Sequence, residues 1–320
     1  MAKVVIVGAG FVGSTIAYAL MLGGTAEEIV LIDKIEEKAR AEAMDLNHCA
    51  SFVSPVTIKA GDYNECSNAD IIIITAGAPQ KPGQTRLELV DINSRIITQI
   101  IEDILTYTKD VILLVVTNPV DVMSYISWRV SGLPAAKVFG SGTVLDTSRF
   151  RYLLSSRCKL DPRNMHAYVV GEHGDSEVPL WSTANVAGVS MDVFCTNCND
   201  ACSQEDREEI SYQVRQSAYE IIQGKGATYF AISLAVRRIV ESILRDEHSV
   251  LTVSTLLNNV YGISNLYLSF PSIIGRNGVQ RVLPLEMSSE EVEQFLHSAH
   301  AVQESIPAKI KMAGNFVPAM

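Results

Sequence analysis

The sequence predicts an α/β protein in which a doubly wound parallel sheet is followed by an α+β domain. The first half alternates short β-branched runs with longer amphipathic stretches, which is typical of parallel strands buried on both faces. After Gly142 the strands become less regular and end in a hairpin. At 320 residues the chain also exceeds the size at which one core usually divides, about 250–300 residues. We therefore expect two domains, at residues 1–142 and 143–320.

Four continuous apolar runs in the first half predict strands at residues 3–7, 29–33, 71–75 and 111–117. The stretches beside them predict helices at residues 12–22, 34–46, 87–107 and 120–130. The longest of these helices carries apolar residues at spacings of three and four, which are Leu89, Ile92, Ile96, Ile100 and Ile104. Such spacing places them on one face of the helix.

The second half begins with a predicted helix at residues 143–155, followed by two apolar segments at residues 166–170 and 178–189. Further helices are predicted at residues 204–223 and 227–244, and a hairpin at residues 250–260 and 266–274. A last helix is predicted at residues 289–305. It begins with a capping box in which Ser288 is the N-cap and Glu291 is the matching acceptor.

The charge and hydropathy of the chain exclude several classes of protein. The formal net charge is -10 and the pI is about 5.1, which argues against nucleic acid as a partner. No apolar run approaches the roughly 18 residues of a membrane span. The N-terminus also lacks the apolar stretch of a signal peptide. We therefore expect a cytoplasmic protein.

Three of the six cysteines form a C-x2-C-x3-C cluster, Cys195, Cys198 and Cys202. The other three, Cys49, Cys66 and Cys158, are scattered, and in a cytoplasmic chain they are expected to be reduced thiols. A zinc site would need a fourth ligand, and no histidine lies within the cluster. A polar surface loop before a helix is the favoured interpretation, so no metal is expected.

A glycine-rich turn follows the first predicted strand and opens the first helix. It has the pattern G-x-G-x-x-G, which permits a tight turn and a close approach of backbone N–H groups to a pyrophosphate. Asp33 lies 20 residues after Gly13, where its carboxylate would bind a ribose and repel a 2′-phosphate. The context indicates a Rossmann-type site for NAD, and a glycine turn without a ligand is the alternative. The residues of this site are Gly8, Gly10, Phe11, Val12, Gly13 and Asp33.

Polar residues also lie where a sheet of this kind binds its ligands, near the carboxyl ends of strands. Asn118 ends the fourth strand and can bond a ribose hydroxyl or a carbonyl, although a plain Asn-Pro turn is the alternative. His173 lies in a polar turn after a strand, and a lone histidine is more often structural. Asp146 and Arg149 are three residues apart on one predicted helix and therefore share a face.

Residues 76–86 contain two glycines and two prolines and end at Arg86, a composition suited to a closing lid. Together with residues 117–121, 140–151 and 171–175, this segment resembles the lactate and malate dehydrogenases. The resemblance runs from Lys3 to about Pro307 and consists of several separate motifs in order. It implies an NAD-dependent oxidoreductase of 2-hydroxy acids, with a Rossmann domain followed by a substrate-binding, catalytic α+β domain.

The resemblance implies a role for each polar residue of the site. His173 matches the proton donor and acceptor, a role suited to an imidazole that titrates near pH 6.5. Asp146 matches the carboxylate that orients this ring. Arg149 matches the arginine that binds the substrate carboxylate with two bonds, and Arg86 would polarise the carbonyl. Further positions that match the cofactor and substrate pockets are Ala76, Gly77, Asn118, Thr228 and Ile232.

Gln80 is the residue expected to select the substrate. Malate dehydrogenases of the family carry an arginine at this lid position, because a second buried carboxylate needs a cation. The neutral Gln80 favours pyruvate and lactate, and the adjacent Lys81 is assigned to solvent. Gln84 departs from many bacterial members, which carry an acid there, and this relaxes discrimination against dicarboxylates. Two alternatives stay open: a malate dehydrogenase of the lactate-like type, and a catalytically silent dinucleotide-binding protein.

Two further residues suggest regulation. Arg151 and His166 match positions that bind fructose 1,6-bisphosphate in allosteric bacterial members of the family. A cationic pair across a two-fold axis would favour the assembled state when a phosphate ligand binds it. The resemblance therefore implies fructose 1,6-bisphosphate as an activator and a homotetramer as the assembly. The alternative is that both are ordinary surface residues.

Overall fold

The computed structural model describes residues 2–78, 86–197 and 202–311, and only the backbone of residues 86, 87 and 197. Gln80, Lys81, Gln84 and Cys198 lie outside the described residues. The side chain of Arg86 does so as well.

Fourteen strands lie in the described part of the chain. They are β1 (Lys3–Val7), β2 (Glu28–Ile32), β3 (Thr57–Ala60), β4 (Ile71–Ile74), β5 (Ile112–Val115), β6 (Val138–Gly140), β7 (Met165–His166), β8 (Val169–Val170), β9 (Val178–Pro179), β10 (Asn185–Val186), β11 (Val189–Ser190), β12 (Ser249–Val260), β13 (Ile263–Gly275) and β14 (Gly278–Val282).

Nine of these strands form one sheet, in the order β14-β13-β12-β6-β5-β4-β1-β2-β3. The first six strands of the chain are mutually parallel, which confirms the predicted doubly wound sheet. The hairpin of β12 and β13 is antiparallel and joins the sheet where Ser254 pairs with Gly140 of β6. One sheet therefore contains strands from both predicted domains.

Nine helices accompany the strands in the described residues. They are α1 (Phe11–Leu22), α2 (Glu36–Asn47), α3 (Arg86–Leu105), α4 (Val120–Ser131), α5 (Val144–Cys158), α6 (Met191–Asn197), α7 (Gln204–Lys225), α8 (Phe230–Leu244) and α9 (Ser289–Ser305). The capping box predicted for α9 is confirmed, because the Ser288 side chain accepts from the Glu291 N–H and the Glu291 carboxylate accepts from the Ser288 N–H.

Helices cover both faces of the sheet because its central strands are buried on both sides. Val5 and Val7 of β1 face one apolar core, to which α3, α4 and α9 contribute. Val4 and Ile6 of the same strand face a second core, to which α1, α2 and α8 contribute. The alternation follows from the two-residue period of a strand, and it leaves the carboxyl ends of the strands free to form a site.

A third, smaller apolar cluster lies among α5, α6, α7 and the short strands of the second half. Cys195 and Cys202 belong to it, with exposed fractions of 4% and 8%. The surface-loop interpretation is wrong for these two thiols, because Cys195 lies on α6 and packs into the cluster. Burial raises the pKa of the Cys202 thiol to about 12, and a protonated thiol is a poor metal ligand.

In residues 2–78, 86–197 and 202–311, no helix is both long enough and apolar enough to span a membrane.

Candidate active site

The glycine-rich turn between β1 and α1 is a tight cradle. Gly8 has a φ of +111°, and a Cβ atom there would lie 2.7 Å from the backbone nitrogen of Ala76. A Cβ atom on Gly13 would lie 1.8 Å from the carbonyl oxygen of Gly8. Glycine is therefore required at both positions by left-handed backbone or by close packing of helix on strand.

The N-terminus of α1 is open to an anion. Gly10 is its N-cap, no side chain caps it, and its first turn contains no acidic residue. Among the described residues, and apart from the chain neighbours of Gly10, only the Lys38 Nζ atom lies within 4 Å of the position of a Gly10 Cβ atom, at 4.0 Å. Uncapped N–H groups at a helix N-terminus, with space above them, fit the pyrophosphate of a dinucleotide.

Asp33 follows β2 and is held at the edge of this cradle. Its Oδ2 atom accepts a hydrogen bond of 2.8 Å from the Ala9 N–H, and its Oδ1 atom accepts one of 3.0 Å from the Ile35 N–H. The remaining lone pairs of the carboxylate can accept from ribose hydroxyls. Beside it, Val12 packs on the apolar core, and the Phe11 ring stacks on Tyr229 with centroids 5.5 Å apart.

Asn93 of α3 joins the ends of β4 and β5. Its Oδ1 atom accepts from the Ala78 N–H at 2.8 Å, and its Nδ2 atom donates to the Asn118 carbonyl at 2.8 Å. Gly77 is needed between them, since a Cβ atom there would lie 2.4 Å from Thr117 Cγ2. The structure thus places Ala76, Gly77 and Asn118 at neighbouring strand ends, and it adds Asn93, which the sequence analysis missed.

His173, whose side chain is 22% exposed, forms a hydrogen-bonded pair with the buried Asp146. The His173 Nδ1 atom lies 2.6 Å from Asp146 Oδ2, and the Asp146 side chain is 1% exposed. The Arg149 Nη1 atom donates to Asp146 Oδ1 at 2.6 Å, from the same turn of α5. With Asp146 ionised, Nδ1 of His173 carries the donated proton, and Nε2 is left to face a substrate. Asp146 is therefore in direct contact with both His173 and Arg149.

The surroundings of His173 favour its protonated form. Burial lowers the pKa of His173, but Asp146, with smaller contributions from Glu177 and Asp121, outweighs it and raises this pKa to about 9. For Asp146, burial acts to raise the pKa, and His173 and Arg149 more than offset it, so that the pKa lies below its ordinary value. The pair is thus an imidazolium beside a carboxylate at neutral pH.

The backbone of the His173 turn is fixed by three partners. Asp121 of α4, which is 1% exposed, accepts from the His173 N–H at 2.8 Å. The Glu172 N–H donates to Ser298 Oγ at 2.7 Å, and Gly171 exchanges two backbone hydrogen bonds of 2.9 Å with Ser269. Asp121 lies within the segment 117–121, and the sequence analysis assigned it no role.

Glu177 is a further acidic residue at this site, and the sequence analysis missed it. One carboxylate oxygen of Glu177, one of Asp146 and a ring nitrogen of His173 all lie within 4.8 Å of one another. Such a group could hold a cation, but both oxygens of Asp146 already bind His173 and Arg149. This pairing favours proton transfer over metal binding.

The remaining predicted residues lie around this centre or outside the described residues. Thr228 and Ile232 are partly buried, just before and within α8. Arg151 donates from Nε to the Ala167 carbonyl at 3.0 Å and lies over the Tyr168 ring at 5.3 Å, whereas His166 is exposed. Gln80 is not described. Helix α3 begins at Arg86, of whose side chain nothing is described.

Family models match the chain in two consecutive parts. Residues 2–140 match the NAD-binding domain of the lactate/malate dehydrogenases. Residues 143–312 match the α/β C-terminal domain of the same enzymes.

Curated relatives and solved structures are similar over nearly the whole chain. An L-lactate dehydrogenase of Acetivibrio thermocellus is 54% identical over 95% of this chain and 96% of its own length. An L-lactate dehydrogenase of Thermoanaerobacterium saccharolyticum is 52% identical over 96% of this chain and 98% of its own length. The crystal structure of a lactate dehydrogenase from a deep-sea metagenome of the Medee basin covers 95% of this chain and 97% of its own, with 43% identity and a TM-score of 0.93. The crystal structure of the minor L-lactate dehydrogenase of Enterococcus mundtii also covers 95% of this chain and 97% of its own, with 42% identity and a TM-score of 0.92.

Proposed function

The chain belongs to the lactate/malate dehydrogenase family, and from this membership and its site we propose that it is an NAD-dependent L-lactate dehydrogenase. It interconverts pyruvate and (S)-lactate. The observation that carries the proposal is the hydrogen bond between His173 and the buried Asp146, with Arg149 bound to the same carboxylate. An imidazolium and a guanidinium held together suit a substrate that has a carbonyl next to a carboxylate.

NADH, when bound, supplies the hydride that reduces the substrate carbonyl. Asp146 fixes the orientation of the His173 ring through Nδ1 and stabilises its positive charge. His173 can then give its Nε2 proton to the carbonyl oxygen, and take it back in lactate oxidation. Arg149 binds the substrate carboxylate, for which a planar guanidinium offers two parallel donors.

The roles of two residues in the proposed mechanism are inferred from the sequence alone. Arg86 polarises the carbonyl as negative charge develops on its oxygen, and Gln80 contacts the methyl side of pyruvate. Because Gln80 is uncharged, the dicarboxylate oxaloacetate would bury a carboxylate without a partner. This is the argument against the malate alternative.

The test is a substrate panel with NADH. We expect a higher kcat/KM for pyruvate than for oxaloacetate, and a shift toward oxaloacetate on Gln80→Arg, with Gln204→Arg on the exposed start of α7 as the control. A preference of the unaltered enzyme for oxaloacetate by about tenfold or more, roughly 1.4 kcal/mol, would overturn the role of Gln80. No turnover of either substrate would favour the silent scaffold.

We also propose that fructose 1,6-bisphosphate activates the enzyme through Arg151 and His166, in a cytoplasmic homotetramer. In support, His166 is exposed, and Arg151 donates a hydrogen bond to the carbonyl of Ala167, the next residue along the chain from His166. The bisphosphate at millimolar concentration should lower the apparent KM for pyruvate and raise the tetramer fraction in sedimentation. Both effects should vanish in an Arg151→Gln/His166→Gln variant, with Arg163→Gln, exposed at the surface, as control. An unaltered enzyme that shows neither effect refutes this part.

A further inference from the structure

Glu177 is a buried carboxyl for which the mechanism above has no use. Its exposed fraction is 5%, and its Oε1 atom has no hydrogen-bond partner among the described residues. Its backbone N–H donates to the Gly174 carbonyl at 3.2 Å, and the next residue enters β9. The position of the carboxyl is therefore set by the same turn that carries His173. A buried, unpaired polar atom is costly, which suggests that it is retained for a purpose.

The groups that face Glu177 are nearly all part of the proposed active site. One carboxylate oxygen of Glu177 lies within 4.8 Å of a carboxylate oxygen of Asp146 and of a ring nitrogen of His173. The charges of Arg149 from α5 and Arg215 from α7 also act on it. Burial and the charge of Asp146 raise the pKa of Glu177 well above its ordinary value, whereas His173 and the two arginines lower it. In return, Glu177 acts with Asp146 and Asp121 to raise the pKa of His173. A proton on His173 therefore favours the ionised form of Glu177, and loss of that proton favours the protonated form of Glu177.

We propose that Glu177 is a positioning residue for the proton transfer, a carboxylate while His173 is an imidazolium and a carboxylic acid once His173 is neutral. The inference rests on the proposed function and deepens it. In pyruvate reduction the Nε2 proton of His173 moves to the carbonyl oxygen, and Glu177 then takes up one proton from solvent. The pair formed by His173 and Glu177 holds one proton and no net charge both before and after. Lactate oxidation runs the same steps in reverse.

This linkage makes a prediction that a purely structural role does not. Glu177→Gln keeps the shape of the side chain but removes the negative charge that stabilises the imidazolium. The pKa that limits kcat/KM for pyruvate should fall by about one unit, as expected for a charge at this separation. At pH values below the limiting pKa of both enzymes, kcat/KM of Glu177→Gln for pyruvate should stay within about threefold of that of the unaltered enzyme. A structural defect would instead lower kcat/KM at every pH.

The experiment compares pH profiles of kcat/KM for pyruvate in the full-length enzyme with NADH. Glu291→Gln is the matched control, since Glu291 is also buried, at 6% exposure, but caps α9. Its profile should keep the pKa of the unaltered enzyme. If the pKa that limits kcat/KM is the same in Glu177→Gln as in the unaltered enzyme, the inference is wrong. An unaltered enzyme that fails to reduce pyruvate would refute the proposed function instead.

A second measurement keeps the inference testable if Glu177→Gln does not fold. Oxamate, an unreactive isostere of pyruvate, should bind the NADH complex with His173 as an imidazolium. Infrared difference spectra of the unaltered enzyme, taken at one pH, should show one carboxylic acid C=O band in the NAD complex with lactate, where His173 is neutral, and its loss in the NADH complex with oxamate. Labelling glutamate with ¹³C should shift that band. If no glutamate band is lost, Glu177 does not change its protonation with His173 and the inference is wrong.

Discussion

Asp146→Asn removes the charge that holds His173 protonated and changes little of the shape. The Asp146 carboxylate lies 2.6 Å from the ring, and it is the main group that raises the pKa of His173 to about 9. Without it, burial remains and the pKa should fall to about 6.5 or lower, the ordinary value for a histidine. A fall of about 2.5 units corresponds to roughly 3 kcal/mol. At about pH 8 the imidazolium fraction would then drop about 30-fold.

The sign of the pH dependence follows from the need for an imidazolium. Pyruvate reduction by the unaltered enzyme should be lost as the pH rises through about 9, and lactate oxidation should be gained. In Asp146→Asn the same transition should move to about pH 6.5 or below, so kcat/KM for pyruvate at about pH 8 should fall by about 30-fold or more.

Steady-state kinetics with NADH, between about pH 5 and pH 10, measure this transition. Because Arg149 also loses its partner, kcat and KM are followed separately. Asp161→Asn is the control, since Asp161 pairs with the exposed Arg163 at the surface. A variant whose kcat/KM stays within about threefold at every pH would refute the assignment of His173 and Asp146 as the proton-transfer pair.

Three other outcomes follow from the structure. Asp33→Ser should raise the ratio of kcat/KM for NADPH to that for NADH at least about tenfold, because a carboxylate repels a 2′-phosphate; an unchanged ratio would exclude Asp33 as the discriminating residue. Gly13→Ala should lower the Tm and abolish NADH binding, since its Cβ atom would lie 1.8 Å from the Gly8 carbonyl. Gly10→Ala should weaken NADH binding without lowering the Tm, since its Cβ atom would lie no nearer than 4.0 Å to the Lys38 Nζ atom and meets nothing closer beyond its chain neighbours in the described residues. A Tm loss in Gly10→Ala equal to that in Gly13→Ala would argue against the cradle. Tyr267→Phe should cost about 1–3 kcal/mol in urea unfolding, because the Tyr267 hydroxyl donates to the buried Val138 carbonyl at 2.8 Å; unchanged stability would mean that this bond contributes nothing.

The long apolar strands could be predicted from sequence, and the short ones could not. The four strands of the first half that were predicted are continuous apolar runs, as in Ile71–Ile74. The missed β3 lies at the edge of the sheet, and only its Ile58 is fully buried. The missed β6 has three residues, too few to show a period. Both are strands because neighbouring strands supply hydrogen-bond partners, which is tertiary information.

The cofactor cradle could be predicted from local pattern alone, because its glycines and Asp33 belong to one strand-helix-strand unit. The pairing of Asp146 with His173, 27 residues apart, came only through the family resemblance. Asn93 had a signal that was overlooked, since it is a polar residue on a helix face that also carries the buried Val90 and Ile97. Glu177 also had a sequence signal that was overlooked, because it is an acidic residue directly before the apolar strand β9.

The charges of the site also bear on the substrate it can accept. Asp146 binds two cations, His173 and Arg149, each at 2.6 Å. With the Glu177 carboxylate and the Arg86 guanidinium proposed above, the site carries a net charge of about +1 when the imidazole is protonated. A substrate carboxylate that binds Arg149 neutralises this charge, and Asp146 keeps His173 as its partner. A dicarboxylate would leave one further negative charge in a buried site, where an unpaired ion is costly. The lid would have to supply a cation besides Arg86 to accept it, and the lid position proposed to select the substrate carries the uncharged Gln80. A monocarboxylate is therefore the substrate that this arrangement balances.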